Sequence, residues 1–139
     1  MPPVIIFTND NGGVSVCVPT GELPIEAVQA KDIPAGVQSF VVDHNSLPNQ
    51  DNDFFDAWEQ TSGVVTVNLS KAKEVTKRRL RVEREPLLVA QDVAFQRALE
   101  SGADTSAIVA EKNRLRDLPT LADACNTLNE LRALKAAKE

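Results

Sequence analysis

The chain has 139 residues, of which 42% are hydrophobic and 25% charged, a composition typical of an ordered globular protein and not of a disordered one. Its length suits one domain, or one small domain with a helical extension. No apolar run approaches the roughly 20 residues that cross a bilayer, and the first residues lack the features of a signal peptide, so synthesis in the cytosol and no membrane partner are expected.

The net charge of −5 conceals two electrostatically different halves. Residues 1–69 contain one lysine and nine acidic residues, for a charge of −8, whereas residues 70–139 contain fourteen Lys and Arg and eleven acidic residues, for a charge of +3. Because contact with phosphates needs a coherent basic face, the acidic first half makes general nucleic-acid binding unfavourable.

The first half predicts a small antiparallel sheet. In "PVIIFTNDNGGVSVCV" two β-branched runs flank a turn sequence, which predicts a β-hairpin. A short helix follows, with Pro24 at its first turn and a stop at Pro34-Gly36. "QSFVVD" predicts a third strand, and residues 63–69 alternate as a fourth. Between these two strands, an aromatic cluster is expected to fill the open end of the sheet: Phe54, Phe55 and Trp58.

From Ser70 onward the pattern is helical. About thirty residues ending at Gly102 form one long helix, with Ser70 as its N-cap and Pro86 expected to kink or divide it. Asp104 or Thr105 then caps a second helix, which ends before Pro119.

Thr127 and Glu130, in capping-box spacing, begin a last short helix. The predicted fold class is therefore α+β. An acidic β-rich domain with one short helix spans residues 1–69, and a basic helical hairpin with a kinked long first helix spans residues 70–139.

Asp92 falls beside the apolar residues of the long helix and therefore needs a partner for its carboxylate. Arg84, two turns back, is distant, so an arginine of the returning helix, Arg114 or Arg116, is the favoured partner.

The basic run from Lys71 to Arg84 suggests binding to nucleic acid or to an anionic membrane. Interleaved glutamates instead favour a solvated face, or one docked on the acidic N-terminal half or on an acidic partner.

The stripe of Val75, Val82 and Val89, with Leu80 and Leu87, has heptad spacing and allows a short homo-oligomeric coil.

The sequence contains no recognisable catalytic, phosphate-binding or metal-binding motif. His44 is the only histidine, "NDNGG" lacks the ending of a phosphate loop, and Asp51, Asp53 and Asp56 lack the EF-hand pattern. No catalytic residue, cofactor or metal is therefore expected, and Cys17 and Cys125 are interpreted as small buried apolar residues.

The segments "REPLLVAQD" and "KNRLRDLP" resemble the R-x-x-LL-x-x-x-D and LRD-x-P pattern in the C-terminal hairpin of small tailed-phage proteins, the tail assembly chaperones or tail-fibre-associated proteins. "VIIFTNDNGGVSV", "DIPAG" and "DFFDAWE" are similar to a recurring small phage structural protein. The positions that carry the hairpin resemblance are Arg84, Leu87, Leu88, Asp92, Leu115, Arg116, Asp117 and Pro119.

The resemblance implies a non-enzymatic tail or head–tail adaptor in the virion, made in the host cytoplasm, whose partners are other virion proteins. A transient tail or tail-fibre assembly chaperone is the first alternative. It ranks second because these chaperones have a tryptophan after the aspartate, where this chain has Val93. A DNA-contacting packaging or regulatory factor that uses residues 71–84 is the second alternative.

Overall fold

A computed structural model describes residues 3–137 of the protein. The fold is α+β, as predicted. The chain divides into two compact units, Met1–Lys71 and Ala72–Glu139, whereas the sequence placed the boundary after residue 69. The first unit contains the strands and one α-helix, and the second unit is helical.

A three-stranded antiparallel sheet forms the centre of the first unit. Its strands are β1 (Pro3–Thr8), β2 (Val14–Cys17) and β3 (Ser39–Asp43), in the order β2-β1-β3. The predicted hairpin is confirmed, since β1 pairs with β2 and the Asn9 side chain accepts hydrogen bonds from the backbone N–H groups of Asn11 and Gly13. Helix α1 (Ile25–Asp32) follows Pro24, as predicted, and buries Val28.

A second sheet corrects the predicted strand count. Strand β4 (Trp58–Thr61) pairs antiparallel with β5 (Val64–Val67), so the first unit has five strands in two sheets where about four in one sheet were expected. The sequence showed β5 but not β4. The connecting turn places Ser62 and Gly63 at φ values of 51° and 85°, a conformation that suits a two-residue hairpin loop.

The aromatic cluster belongs to the interior of the first unit. Trp58 is 2% exposed and donates its indole N–H to the Asp51 carbonyl at 3.2 Å, while its ring centroid lies 4.9 Å from that of Phe55. Phe54 is buried as well. The buried residues packed together with the tryptophan are Val4, Ile6, Val14, Leu47 and Val65.

The second unit is made from three α-helices: α2 (Leu69–Ser101), α3 (Ser106–Asp117) and α4 (Leu128–Ala133), with a 3₁₀ segment at Leu118–Ala124. Helix α2 is continuous over 33 residues with Pro86 inside it, so the proline does not divide the helix. The predicted Ser70 cap is wrong because Asn68 has that role, accepting a hydrogen bond from the Lys71 backbone N–H at 3.0 Å.

The other helix starts lie where the sequence predicts them. At α3 the N-cap position is Thr105, whose side chain makes no capping hydrogen bond. Asp104, the other predicted cap, accepts from the backbone N–H of Ser106 at 3.0 Å and from its hydroxyl at 2.7 Å. Thr127 is the N-cap of α4 and accepts from the Glu130 N–H at 3.1 Å, as predicted, while the Glu130 carboxylate accepts from the N–H of Asn126, one residue before the cap.

Leucines hold the second unit together. Leu80 of α2 and Leu115 of α3 are fully buried. They cluster with Leu118 and Ala136, which belong to the part of the chain after α3, residues 118–137, called the C-terminal segment below. Leu87, Leu88 and Leu134 pack against this cluster. The hairpin of α2 and α3 and the final segment therefore share one core.

Candidate interaction surfaces of the second unit

Among residues 3–137, no three His, Cys, Asp or Glu side chains are grouped so that they could hold a metal ion. His44 lies in a short 3₁₀ turn at His44–Ser46. Within the same residues no helix combines the length and the apolar character that a membrane span requires.

The motif residues lie where α2 meets the end of α3. The Arg84 guanidinium donates hydrogen bonds to the carbonyls of Leu115 at 3.2 Å and Arg116 at 2.8 Å. These carbonyls belong to the last turn of α3, where unpaired C=O groups and the helix dipole favour a cation. Pro119 is buried just beyond the helix end, while Asp117 is exposed.

The predicted arginine partner of Asp92 is wrong. The Asp92 side chain is 61% exposed, and its partner is a lysine, Lys112, at 2.7 Å. The ammonium of Lys112 also lies 5.0 Å from the centroid of the Phe95 ring, a cation–π contact. The partner does lie on α3, as predicted, but the register of α2 and α3 places Lys112 opposite Asp92.

Arg114, which the sequence offered as that partner, instead binds the C-terminal segment. Its guanidinium donates to Glu111 at 2.6 Å and to the Ala136 carbonyl at 2.7 Å. The Glu111 carboxylate raises the pKa of Arg114 by accepting this hydrogen bond.

Much of the basic run is engaged by the chain itself. Arg79 donates to the carbonyls of Leu131 and Leu134 at 3.0 Å and 2.9 Å. Lys77 pairs with Asp123 at 2.7 Å, and the hydrogen bond that its ammonium donates to that carboxylate raises the pKa of Lys77. These residues are therefore docked on the protein itself, but on the C-terminal segment and not on the acidic N-terminal half or the acidic partner that the sequence favoured.

Glu83 completes the attachment of this segment. Its carboxylate accepts from Arg79 at 2.6 Å and from the backbone N–H of Ala136 at 3.2 Å. Burial by itself raises the pKa of Glu83, but the hydrogen bonds from Arg79 and Ala136 outweigh it and leave the pKa below 4.5. Ala136 is thus bound through its N–H by α2 and through its C=O by α3.

The outer side of α2 carries an exposed apolar stripe. Val82, Val89 and Val93 are 75%, 52% and 46% exposed, and Pro86 between them is exposed too. Leu80 and Leu87, which the sequence grouped with the heptad valines, instead face the core. We call Val82, Pro86, Val89 and Val93 the valine stripe. Its spacing was visible in the sequence, but its exposure was not.

Beside the valine stripe, polar and apolar side chains line a shallow groove along the same helix. Its lining residues are Val89, Asp92, Val93, Gln96, Arg97 and Glu100. The first unit has exposed apolar residues of its own, Val18, Leu23, Val41 and Val64. Val18 and Leu23 line a cleft with Cys17 and Val28, between the end of β2 and α1.

No protein-family model, curated protein or solved structure matches the chain.

Proposed function

We propose that the chain is a non-enzymatic structural adaptor of a tailed-bacteriophage particle, located in the tail or head–tail region, that attaches one protein to another. The observation that carries this proposal is the valine stripe, three exposed valines on one face of a long helix. An apolar face of this kind suits contact with another protein. The sequence resemblance to small phage proteins is the reason for assigning the chain to a phage particle.

The arrangement of the chain supports attachment in preference to chemistry. The motif residues Arg84, Leu87, Leu88 and Leu115 hold the hairpin together from within, which leaves the outer face of α2 available to a partner. The first unit separately exposes Val18 and Leu23. An adaptor needs at least two surfaces that can each contact another chain, and each unit has one.

Mass spectrometry of purified particles tests this proposal. Particles of the phage that encodes the chain should contain it in a fixed ratio to a known tail protein, after gradient purification and a high-salt wash. A major capsid protein and a non-virion phage enzyme serve as positive and negative controls. If the chain is absent from washed particles, the adaptor proposal is rejected.

The valine stripe also suits a second candidate, a chaperone that binds tail or tail-fibre protein only during assembly. Transient binding of an apolar client surface requires an exposed apolar face without a permanent partner. The chaperone would be found with its client in lysates of infected cells and would be missing from finished particles. The same mass spectrometry, applied to both samples, separates the two candidates.

A further inference from the structure

The valine stripe continues as a heptad face. The positions 82, 86, 89, 93, 96 and 100 of α2 alternate in steps of four and three, the spacing of d and a positions in a coiled coil. All six are exposed, and the first four are Val82, Pro86, Val89 and Val93. The inward side of α2 is occupied by the core of the second unit, so this face is free for another helix.

Charged residues flank the stripe in a self-complementary order. With Val82 and Val89 at d, Arg78 and Asp92 take g positions, and Glu83 and Arg97 take e positions. In a parallel pair of identical helices, a g residue meets the e residue five positions later on the other helix. Arg78 would therefore meet Glu83, and Asp92 would meet Arg97, so both contacts join opposite charges.

The antiparallel arrangement is disfavoured by the same charges. An antiparallel pair that stacks Val82 on Val93 of the other copy brings g positions together and places Glu85 beside Asp92 twice. Like charges in such contacts oppose pairing. In the parallel arrangement Glu85 faces Ala90, which is neutral. We propose that α2 binds α2 of a second copy of this chain, parallel and in register, through the valine stripe.

The charges that set the orientation are available for this contact. Arg97 is exposed and has no bonded partner among residues 3–137, and the Asp92 side chain is 61% exposed although Lys112 lies 2.7 Å from its Oδ1. Glu83 is already bound by Arg79 and Ala136. The Asp92–Arg97 contact therefore contributes more to the orientation than the Arg78–Glu83 contact. This self-association does not depend on the phage assignment.

Sedimentation equilibrium over a wide concentration range tests whether the face binds itself. The full chain should associate reversibly, and Val89→Asp should weaken the association at least about tenfold, because it buries a carboxylate in the stripe. Val109→Asp is the matched control, since Val109 is an exposed valine of α3 outside the stripe. Circular dichroism should show both variants folded. A wild-type chain that stays monomeric throughout overturns the proposal.

Charge exchange tests the orientation. Arg97→Glu alone and Asp92→Arg alone should each weaken association, whereas an equimolar mixture should restore it, because a mixed pair regains both opposite-charge contacts. The loss of the Asp92–Lys112 bridge inside one chain cannot produce this recovery. If the wild-type chain associates but the mixture shows no recovery, the parallel pairing is wrong.

Disulfide cross-linking gives an independent measure. In a background with Cys17→Ser and Cys125→Ala, Val82→Cys and Gln96→Cys should each cross-link to the same position of another copy, since in-register d residues lie within disulfide distance. Cross-linking only between Val82→Cys and Val93→Cys chains in a mixture would indicate antiparallel pairing and overturn the proposal.

Discussion

At the scale of single residues, arginines that bind backbone carbonyls organise the second unit. Arg79, Arg84 and Arg114 each donate to at least one carbonyl of the segment that follows or ends α3. A guanidinium has five N–H donors in a planar fork, so it can bind two carbonyls at once where lysine would bind less selectively. The positive charge of α2 thus has a structural use that composition does not reveal.

Arg84 provides the first prediction. Arg84→Ala should lower the free energy of unfolding by about 1.5–3 kcal/mol, because it removes charge-assisted hydrogen bonds to two helix-end carbonyls. Urea denaturation, with midpoint and slope compared, measures the change. Arg81→Ala is the control, since Arg81 is exposed without a bonded partner among residues 3–137, and it should change stability by less than about 0.5 kcal/mol. Equal effects of the two substitutions would contradict the assignment.

Glu83 predicts a specific response to pH. Its folded-state pKa lies below the unfolded value of 4.5, so its contribution to stability is complete above pH 4.5 and is lost as the pH falls through the folded pKa. Glu83→Gln should therefore reduce stability at neutral pH and flatten the loss of stability below pH 4.5. Thermal unfolding between neutral and acidic pH measures both effects. Glu85→Gln, on an exposed residue without a bonded partner in residues 3–137, should follow the wild-type curve.

At the scale of elements, Pro86 allows a test of how α2 tolerates a proline. The proline is exposed, and the carbonyl of Val82 that loses its hydrogen-bond donor lies on the exposed side of the helix, where water can replace the bond. Packing of Leu80, Leu87 and Leu88 on the other side keeps the helix continuous. This explains why division of the helix, one of the two effects predicted for Pro86, does not occur.

Pro86→Ala should raise the free energy of unfolding by about 1–3 kcal/mol, because alanine restores the helical hydrogen bond and no buried contact is lost. Urea denaturation measures the gain, and Glu85→Ala, the neighbouring exposed position, should change stability much less. A destabilised Pro86→Ala variant would instead show that the local geometry imposed by the proline is needed for packing against α3.

The elements that could be predicted are those whose signals are local. The β1–β2 hairpin, α1 and the Thr127 cap of α4 each follow from residues that are close together in the sequence. Strand β4 was missed because its residues combine an aromatic with polar side chains, and its extended form depends on pairing with β5. The partner of Asp92 was missed because Lys112, Arg114 and Arg116 compete, and only the helix register selects one.

At the scale of the whole molecule, the two units differ in how they use charge. Residues 1–69 are strongly acidic. Most of the cationic side chains between Lys71 and Arg84 of α2 make hydrogen bonds or ion pairs within the chain. Lys71 pairs with Glu59 at 3.8 Å, and Lys73, Lys77, Arg79 and Arg84 bind the C-terminal part of the chain. Arg78 and Arg81 remain exposed without a bonded partner in residues 3–137.

This distribution predicts weak contact with DNA, against the DNA-binding alternative. Arg78 and Arg81 are the uncommitted cations of the run from Lys71 to Arg84, and they can neutralise about two phosphates, so this run should contribute no more than about −2 to the slope of log Kobs against log salt concentration. A fluorescence-anisotropy titration of duplex DNA at several salt concentrations measures this slope, and binding should vanish at physiological ionic strength. The double variant Arg78→Gln, Arg81→Gln should remove what remains at low salt. A slope of about −5 or steeper would mean that the whole run from Lys71 to Arg84 leaves its internal partners for phosphates, and the DNA-contacting factor would then displace the adaptor as the leading function.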